Sequence, residues 1–350
     1  MRRSLPVTLC AAALTVQARA QWTATNLHPA EASRSFAMAA TGGQQAGFAN
    51  IDGTSRAGIW NKTAASWTDL NPAGSTDSGI YGASGGDQVG YAAVSGAYRA
   101  SLWSGTAGSW INLHPAGATQ SFAYGVSGDR QVGITMFGAI SRATLWSGTA
   151  AFATDLTPAG ASESAGYAIS GGKQVGTAKF GAITHASLWS NTAASWVDLH
   201  PASATTSQAV ALSGPQQVGA AFFSGDGHAS LWTGSAASWV DLNPADATQS
   251  FAMGVGSGMQ VGYAIVDGID QASLWTGTAA SWVNLHSFLP AGFTYSYATS
   301  ITSDGANYYI AGYASNGPGD TQAMLWTRPV PAPAAISLFG LCALAPRRRR

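Results

Sequence analysis

The chain has 350 residues, of which only 9% are charged and 46% apolar, and it carries 13 tryptophans. So much material for burial excludes an intrinsically disordered chain. The formal charge is zero, but seven arginines stand at the two ends (Arg2, Arg3, Arg19 and Arg347 to Arg350). The body between them holds 9 basic residues against 16 acidic ones, a charge of −7, which argues against a nucleic-acid partner.

Taken from its start, the chain reads "MRRSLPVTLCAAALTVQARAQW". A basic beginning, an apolar run from Leu5 to Val16 and small residues at Ala18 and Ala20 have the order of a secretory signal, with cleavage expected after Ala20. Domain boundaries follow: a leader over 1–20, a body over 21–328 and a tail over 329–350. The two cysteines, Cys10 and Cys342, fall in the terminal apolar segments. Disulfides, thiolate metal sites and cysteine nucleophiles are thereby excluded from the body by inventory.

The body repeats itself. A Leu-Trp or Ile-Trp dipeptide ends at Trp60, Trp103, Trp146, Trp189, Trp232, Trp275 and Trp326, at a spacing of 43 residues five times and then 51. One unit, residues 250–286, contains four short apolar stretches, "FAMGV", "QVGYAIV", "QASLW" and "SWVNL", separated by turn-forming residues. None is long enough for a helix, and four strands per roughly 43 residues is the build of one propeller blade. Small residues such as Ala252 and Gly254 suit a crowded centre, and tryptophans suit the wider gaps between blades.

The fragment "QWTATNLHPA" (21–30) has the pattern of a fourth strand without the three before it, and residues 295–326 have three strands without a fourth. The expected fold is therefore all-β, a seven-bladed β-propeller of four antiparallel strands per blade, its last blade closed by the N-terminal strand. Such closure leaves no free sheet edge.

The unit "GGQQ…GFANIDGTSRAGIW…WTDL", with its recurring Gln-Val-Gly and (His/Arg/Gln)-Ala-x-Leu-Trp segments, resembles the HAF-type extracellular repeat of bacterial surface proteins over about residues 22–327. The resemblance implies an exported repeat protein and brings no catalytic residues with it. The tail "VPAPAAISLFGLCALAPRRRR" resembles the PEP-CTERM sorting signal, with Pro331 and Pro333 around Ala332 where that signal carries Glu. It implies processing by an exosortase-like enzyme after signal peptidase, transient membrane contact and a cell-surface or extracellular location. A weak C-terminal anchor is the other reading, the apolar run from Ala334 to Ala345 being short for a stable span.

Comparison of the copies separates constant from varied positions. The Gly of Gln-Val-Gly (Gly90, Gly133, Gly176, Gly219, Gly262) and the Asp or Asn of the fourth strand (Asp69, Asn112, Asp155, Asp198, Asp241, Asn284) barely change, which points to structural hydrogen bonding. His28, His114, His200 and His286 alternate with Asn71, Thr157 and Asn243, a turn position too dispersed for one metal ion. His185 and His228 begin neighbouring third strands, where they would meet only across a blade boundary. No metal and no cofactor is expected.

The most varied position reads Arg34, Asp77, Gln120, Glu163, Thr206, Gln249 and Tyr295 around the ring. Two residues on, the chain carries Phe36, Gly79, Phe122, Ala165, Gln208, Phe251 and Tyr297. On the innermost strands these would ring one mouth of the channel, either as a ligand site or as an unconstrained loop. The ligand-site residues are thus Arg34, Asp77, Gln120, Glu163, Thr206, Gln249, Tyr295 and Tyr297. The leading expectation is a non-catalytic, monomeric structural or adhesive protein of the cell surface or extracellular matrix, with extracellular polysaccharide or surface proteins as partners. A lectin-like carbohydrate-binding propeller is its rival. A polysaccharide hydrolase or lyase is a third reading, which would depend on Asp77 and Glu163.

Overall fold

A computed structural model of the chain describes residues 21–317 and 319–331. The leader with Cys10 and Ala20, and the tail from Ala332 with Pro333 and Cys342, lie outside the described residues. Pro331 is the last residue described, two positions beyond the final strand, Asp320–Pro329.

Turn-forming residues cut each unit into short strands. In blade 2 these are Asp77–Ser84, Asp87–Val94, Ala97–Trp103 and the two-residue Ile111–Asn112, and seven such four-stranded antiparallel sheets make a seven-bladed β-propeller. The fourth strand is shorter than its apolar stretch suggests. A single 3-10 turn, Ala107–Ser109 in blade 2, takes up the residues before it. In blade 7 the fourth strand is Thr23–Asn26, paired antiparallel with the third from Thr23↔Thr327 to Asn26↔Met324, so the ring closes as the sequence implied.

The core is a ring of seven apolar clusters, one in each gap between blades. The cluster between blades 1 and 2 shows the pattern: Ala57, Ile59 and Leu70 from one blade meet Ile80, Ala92 and the fully buried Trp103 of the next. Burying a tryptophan removes about 150–250 Å² from water. At about 25 cal/mol per Å² each of these seven rings contributes a few kcal/mol.

Two backbone devices recur in every blade. Each innermost strand carries a β-bulge at one shared position, as between Ala123 and Gly125, where Tyr124 has no partner across the sheet, and the first blade has a second irregularity between Ala32 and Arg34. The bulge presses a carbonyl against the second strand, so that a Cβ on Gly133 would stand 1.9 Å from the carbonyl oxygen of Phe122. Only glycine fits, which accounts for the constant Gly of Gln-Val-Gly.

The second device is a hydroxyl clamp between blades. The fully buried Ser121 accepts the backbone N–H of Ala100 in the preceding blade at 2.8 Å and donates to His114 Nδ1 at 2.8 Å. His114 Nε2–H is then free to donate to the Ala118 carbonyl at 3.1 Å, which fixes the tautomer. In blade 2 the same serine position, Ser78, donates to Asn71 instead. The alternating His and Asn are thus equivalent acceptors for one buried hydroxyl.

Candidate functional site

The innermost strands all run the same way along the central channel, so each sequence position forms a ring at one depth. Residues at or near their starts form the mouth that carries Arg34, Asp77, Gln120, Glu163, Thr206, Gln249 and Tyr295. Their last residues form the opposite end, ringed by Thr41, Ser84, Ser127, Ser170, Ser213 and Ser303 around a cavity of about 410 Å³. The near-constant Gln belongs to that second end. The buried Gln88 donates to the Gly86 carbonyl and accepts Gly105 N–H at 2.9 Å, tying a loop to a hairpin.

At the first mouth, most of the varied residues are held by their own surroundings. Arg34 Nε donates to the Gly319 carbonyl at 3.1 Å, Glu163 pairs with Lys179 at 3.1 Å, and Tyr295 lies 3.4 Å from the Thr321 hydroxyl. Asp77 accepts the Tyr91 hydroxyl at 3.0 Å, and Asp270 accepts that of Tyr297. Gln120, Thr206 and Gln249 open their strands opposite Met136, Phe222 and Ile265. Asp77 and Glu163 therefore serve different partners, a tyrosine hydroxyl and a lysine.

The histidines take separate places. His185 and His228 each bond an aspartate of their own blade, Asp198 at 2.9 Å and Asp241 at 2.8 Å. His185 stacks on His200, ring centroids 4.4 Å apart, and the two third-strand histidines form no joint site. The fourth-strand carboxylates also accept backbone N–H groups two residues on, as Asp198 does from His200 at 2.8 Å. Burial lowers the pKa of His114, His200 and His286, consistent with neutral rings in the clamp. Among the described residues no group of three or more His, Cys, Asp or Glu is placed to hold a metal ion.

The ring that sequence reasoning missed is the bulge itself. Its seven residues, Met38, Tyr81, Tyr124, Tyr167, Val210, Met253 and Thr299, line the channel just below the mouth. A bulge re-aims the side chain it carries, and here it sets one residue per blade along the channel, a tyrosine or methionine in five of the seven. The available signal was an aligned column of Met, Tyr, Val and Thr lying four residues past the varied position in every blade, in the strand facing the constant glycine.

Two arcs of aromatic rings rise from this floor. One runs through Tyr81, Tyr91, Phe122, Tyr124 and Tyr167, with centroids 5.0 Å apart for Tyr81–Tyr124 and 5.7 Å for Tyr124–Tyr167. The other runs from Phe251 through Tyr263, Tyr297 and Tyr313 to Phe36, with centroids 4.7 Å apart for Tyr263–Tyr297. Gly79 makes room in the first arc, because a Cβ there would come within 2.9 Å of the Tyr91 ring. The funnel so formed encloses a cavity of about 420 Å³ over Tyr81, Tyr124, Tyr167, Phe251 and Tyr263. Between the arcs, in blade 4, Ala165 and Thr177 stand in place of rings. There a side notch of about 270 Å³ opens beside Tyr167 and the Lys179–Glu163 pair.

The phenols are neutral under ordinary conditions. Burial, and secondly the charge of Asp77, pushes Tyr81 up to about 12. Burial, and secondly Asp270, does the same to Tyr263, also up to about 12. The funnel thus presents ring faces and hydroxyl groups under the negative field of two carboxylates, chemistry suited to binding.

No family model matches the chain, and no curated protein matches it. Among solved structures it is similar to a puromycin hydrolase at a TM-score of 0.57 and 12% identity, over 84% of this chain and 53% of that one. The chain therefore spans about half the length of that hydrolase. It is also similar to an oligogalacturonate lyase in complex with manganese, at 0.50 and 10% identity, over 89% of this chain and 99% of that one. A putative TolB from Agrobacterium tumefaciens superposes at 0.45 and 11% identity, over 90% of this chain and 99% of that one. These likenesses correct the leading expectation from the sequence. Chains of this fold include a hydrolase and a lyase, so the propeller gives no ground for setting this protein among non-catalytic structural or adhesive proteins, or among lectins. At such identities the likeness shows the propeller fold alone, and it assigns this chain neither to enzymes nor to non-enzymes.

Proposed function

We propose that this protein is a ligand-binding propeller whose site is the aromatic funnel at one mouth of its channel. The observation that carries the reading is the bulge ring: seven blades each turn one side chain to the axis, and three successive ones are tyrosines. They floor a cavity of about 420 Å³ walled by half-buried rings. A concave, mostly apolar cavity with a few polar groups is the usual form of a small-ligand site. The ligand it suits is an organic molecule, or an exposed group on a larger one, that presents a flat apolar face to Tyr81, Tyr124 and Tyr167.

Calorimetric titration of the full chain with N-acetylphenylalaninamide, an uncharged aromatic probe, tests the reading. Saturable binding at one site is expected, weakened about fivefold to tenfold in Tyr124→Ala through loss of ring contact. Ser127→Ala, at the opposite end of the channel, leaves it unchanged. Equal binding to wild type and Tyr124→Ala would overturn the proposal.

The same reading places the protein outside the cytoplasm, supported by the basic-apolar-small order of residues 1–20 and by the tail. N-terminal sequencing of the mature protein is expected to begin at Gln21, and a retained Met1 would overturn that placement.

A further inference from the structure

We infer that the funnel selects an organic cation, of the alkylammonium or guanidinium class. The inference rests on the funnel being the binding site and names what enters it. Three observations converge. Each aromatic arc carries one carboxylate at its rim, Asp77 in the first and Asp270 in the second. Among the described residues neither forms an ion pair, whereas Glu163 is neutralised by Lys179 and the Arg34 guanidinium is taken up by a carbonyl. Both carboxylates are fixed by a tyrosine hydroxyl, which orients the oxygens and leaves the negative charge in place.

The rings supply the second half of the recognition. Aromatic faces attract cations through their quadrupole, most strongly where water is partly excluded. Tyr91 and Tyr297 donate their hydroxyl protons to the carboxylates, so electron density is pushed back toward their own rings. Burial first, and then the charge of Asp77 on Tyr81 and of Asp270 on Tyr263, raises these two phenols, in keeping with that negative field. A cation in this funnel meets ring faces on its sides and a carboxylate at the rim, and the mouth arginine, Arg34, is held to the Gly319 carbonyl.

The test uses the full chain and three probes in calorimetric titration: 1,6-diaminohexane, 1,6-hexanediol of the same length without charge, and an uncapped-side-chain arginine peptide, acetyl-Gly-Arg-Gly-amide. The diamine or the peptide is expected to bind at least about tenfold more tightly than the diol, and raising salt from about 0.05 M to about 0.5 M should weaken it severalfold. Asp77→Asn and Asp270→Asn keep an acceptor for the tyrosine hydroxyl and remove the charge. Each should weaken the cation about threefold to tenfold and leave N-acetylphenylalaninamide unaffected. Tight binding of the diamine points to a free amine as the source, and of the peptide alone to a basic side chain on a polypeptide. Neither cation binding better than the diol, or cation binding unchanged by both Asn variants and by salt, overturns the inference. If the uncharged aromatic probe binds meanwhile, only the charge preference has failed. If no probe binds, the funnel itself is not the site.

Discussion

The two ends of the channel are built by the same seven strands, yet they differ in how far the copies agree. At one end the strands finish on Thr41, Ser84, Ser127, Ser170, Ser213 and Ser303, nearly one residue type repeated. At the other they begin on Arg, Asp, Gln, Glu, Thr and Tyr, above a bulge ring of Met, Tyr, Val and Thr. Between the ends the glycine opposite the bulge and the clamp serine recur in every blade. What is held constant is what the interfaces between blades and the backbone cannot do without. What varies lies at the channel, where each blade supplies its own partner, as Lys179 does for Glu163 and Tyr91 for Asp77.

That contrast breaks most sharply at the glycine. Gly133→Ala sets a methyl group 1.9 Å from the Phe122 carbonyl oxygen, so the first two strands must part or the bulge must flatten. A loss of about 3 kcal/mol in unfolding free energy is expected. Gly86→Ala, where a Cβ would meet nothing within 4 Å, is the control and should stay within about 0.5 kcal/mol. Denaturant midpoints for the two variants measure the difference, and equal midpoints would mean that the bulge does not constrain the strand.

The clamp comes next in size. Ser121→Ala leaves the buried Ala100 N–H without its acceptor and His114 Nδ1 without its donor, at a cost of about 1–3 kcal/mol. His114→Asn, which reproduces the partner that Ser78 finds in Asn71, should cost far less. If the two substitutions destabilise equally, the histidine has a role of its own that the asparagine blades lack.

The architecture was legible because the repeat reports on itself. Seven tryptophans at one period, a fourth strand at the start and three at the end leave one way to close the ring, and the pairing of Thr23–Asn26 with the last unit follows it. The constant fourth-strand Asp and Asn were legible for a similar reason. Identical residues on diverging outer strands cannot converge on one ligand, and each instead accepts an N–H in its own turn. The site was legible only in part. The varied mouth residues were found at the right depth, but Arg34, Glu163 and Tyr295 are largely engaged by neighbours far apart in sequence, Gly319, Lys179 and Thr321. The bulge ring was hidden because a bulge interrupts the two-residue rhythm by which a strand's faces are read. The Tyr-rich last unit divides its tyrosines: Tyr297 and Tyr313 join the funnel, while Tyr308 and Tyr309 lie toward the other end, beneath Arg328 and Lys62.

The smallest effect at neutral pH, and the one most specific to the aromatic end, is the titration of its phenols. Tyr81, Tyr263 and Tyr313 are each pushed up to about 12, first by burial, and Tyr91, Tyr124 and Tyr297 are pushed up as well. A phenol whose folded pKa lies above its unfolded value of about 10 favours the folded state fully below pH 10, and that contribution disappears as pH rises through the folded value. Stability should therefore be flat in these groups through neutrality and fall between about pH 10 and pH 12. Tyrosinate absorbance followed alongside circular dichroism checks the sign. A class of phenols should ionise only above the ordinary range and together with loss of the native signal, whereas ionisation of every tyrosine near pH 10 in a protein that stays folded would show that the rings of the funnel stand open to water.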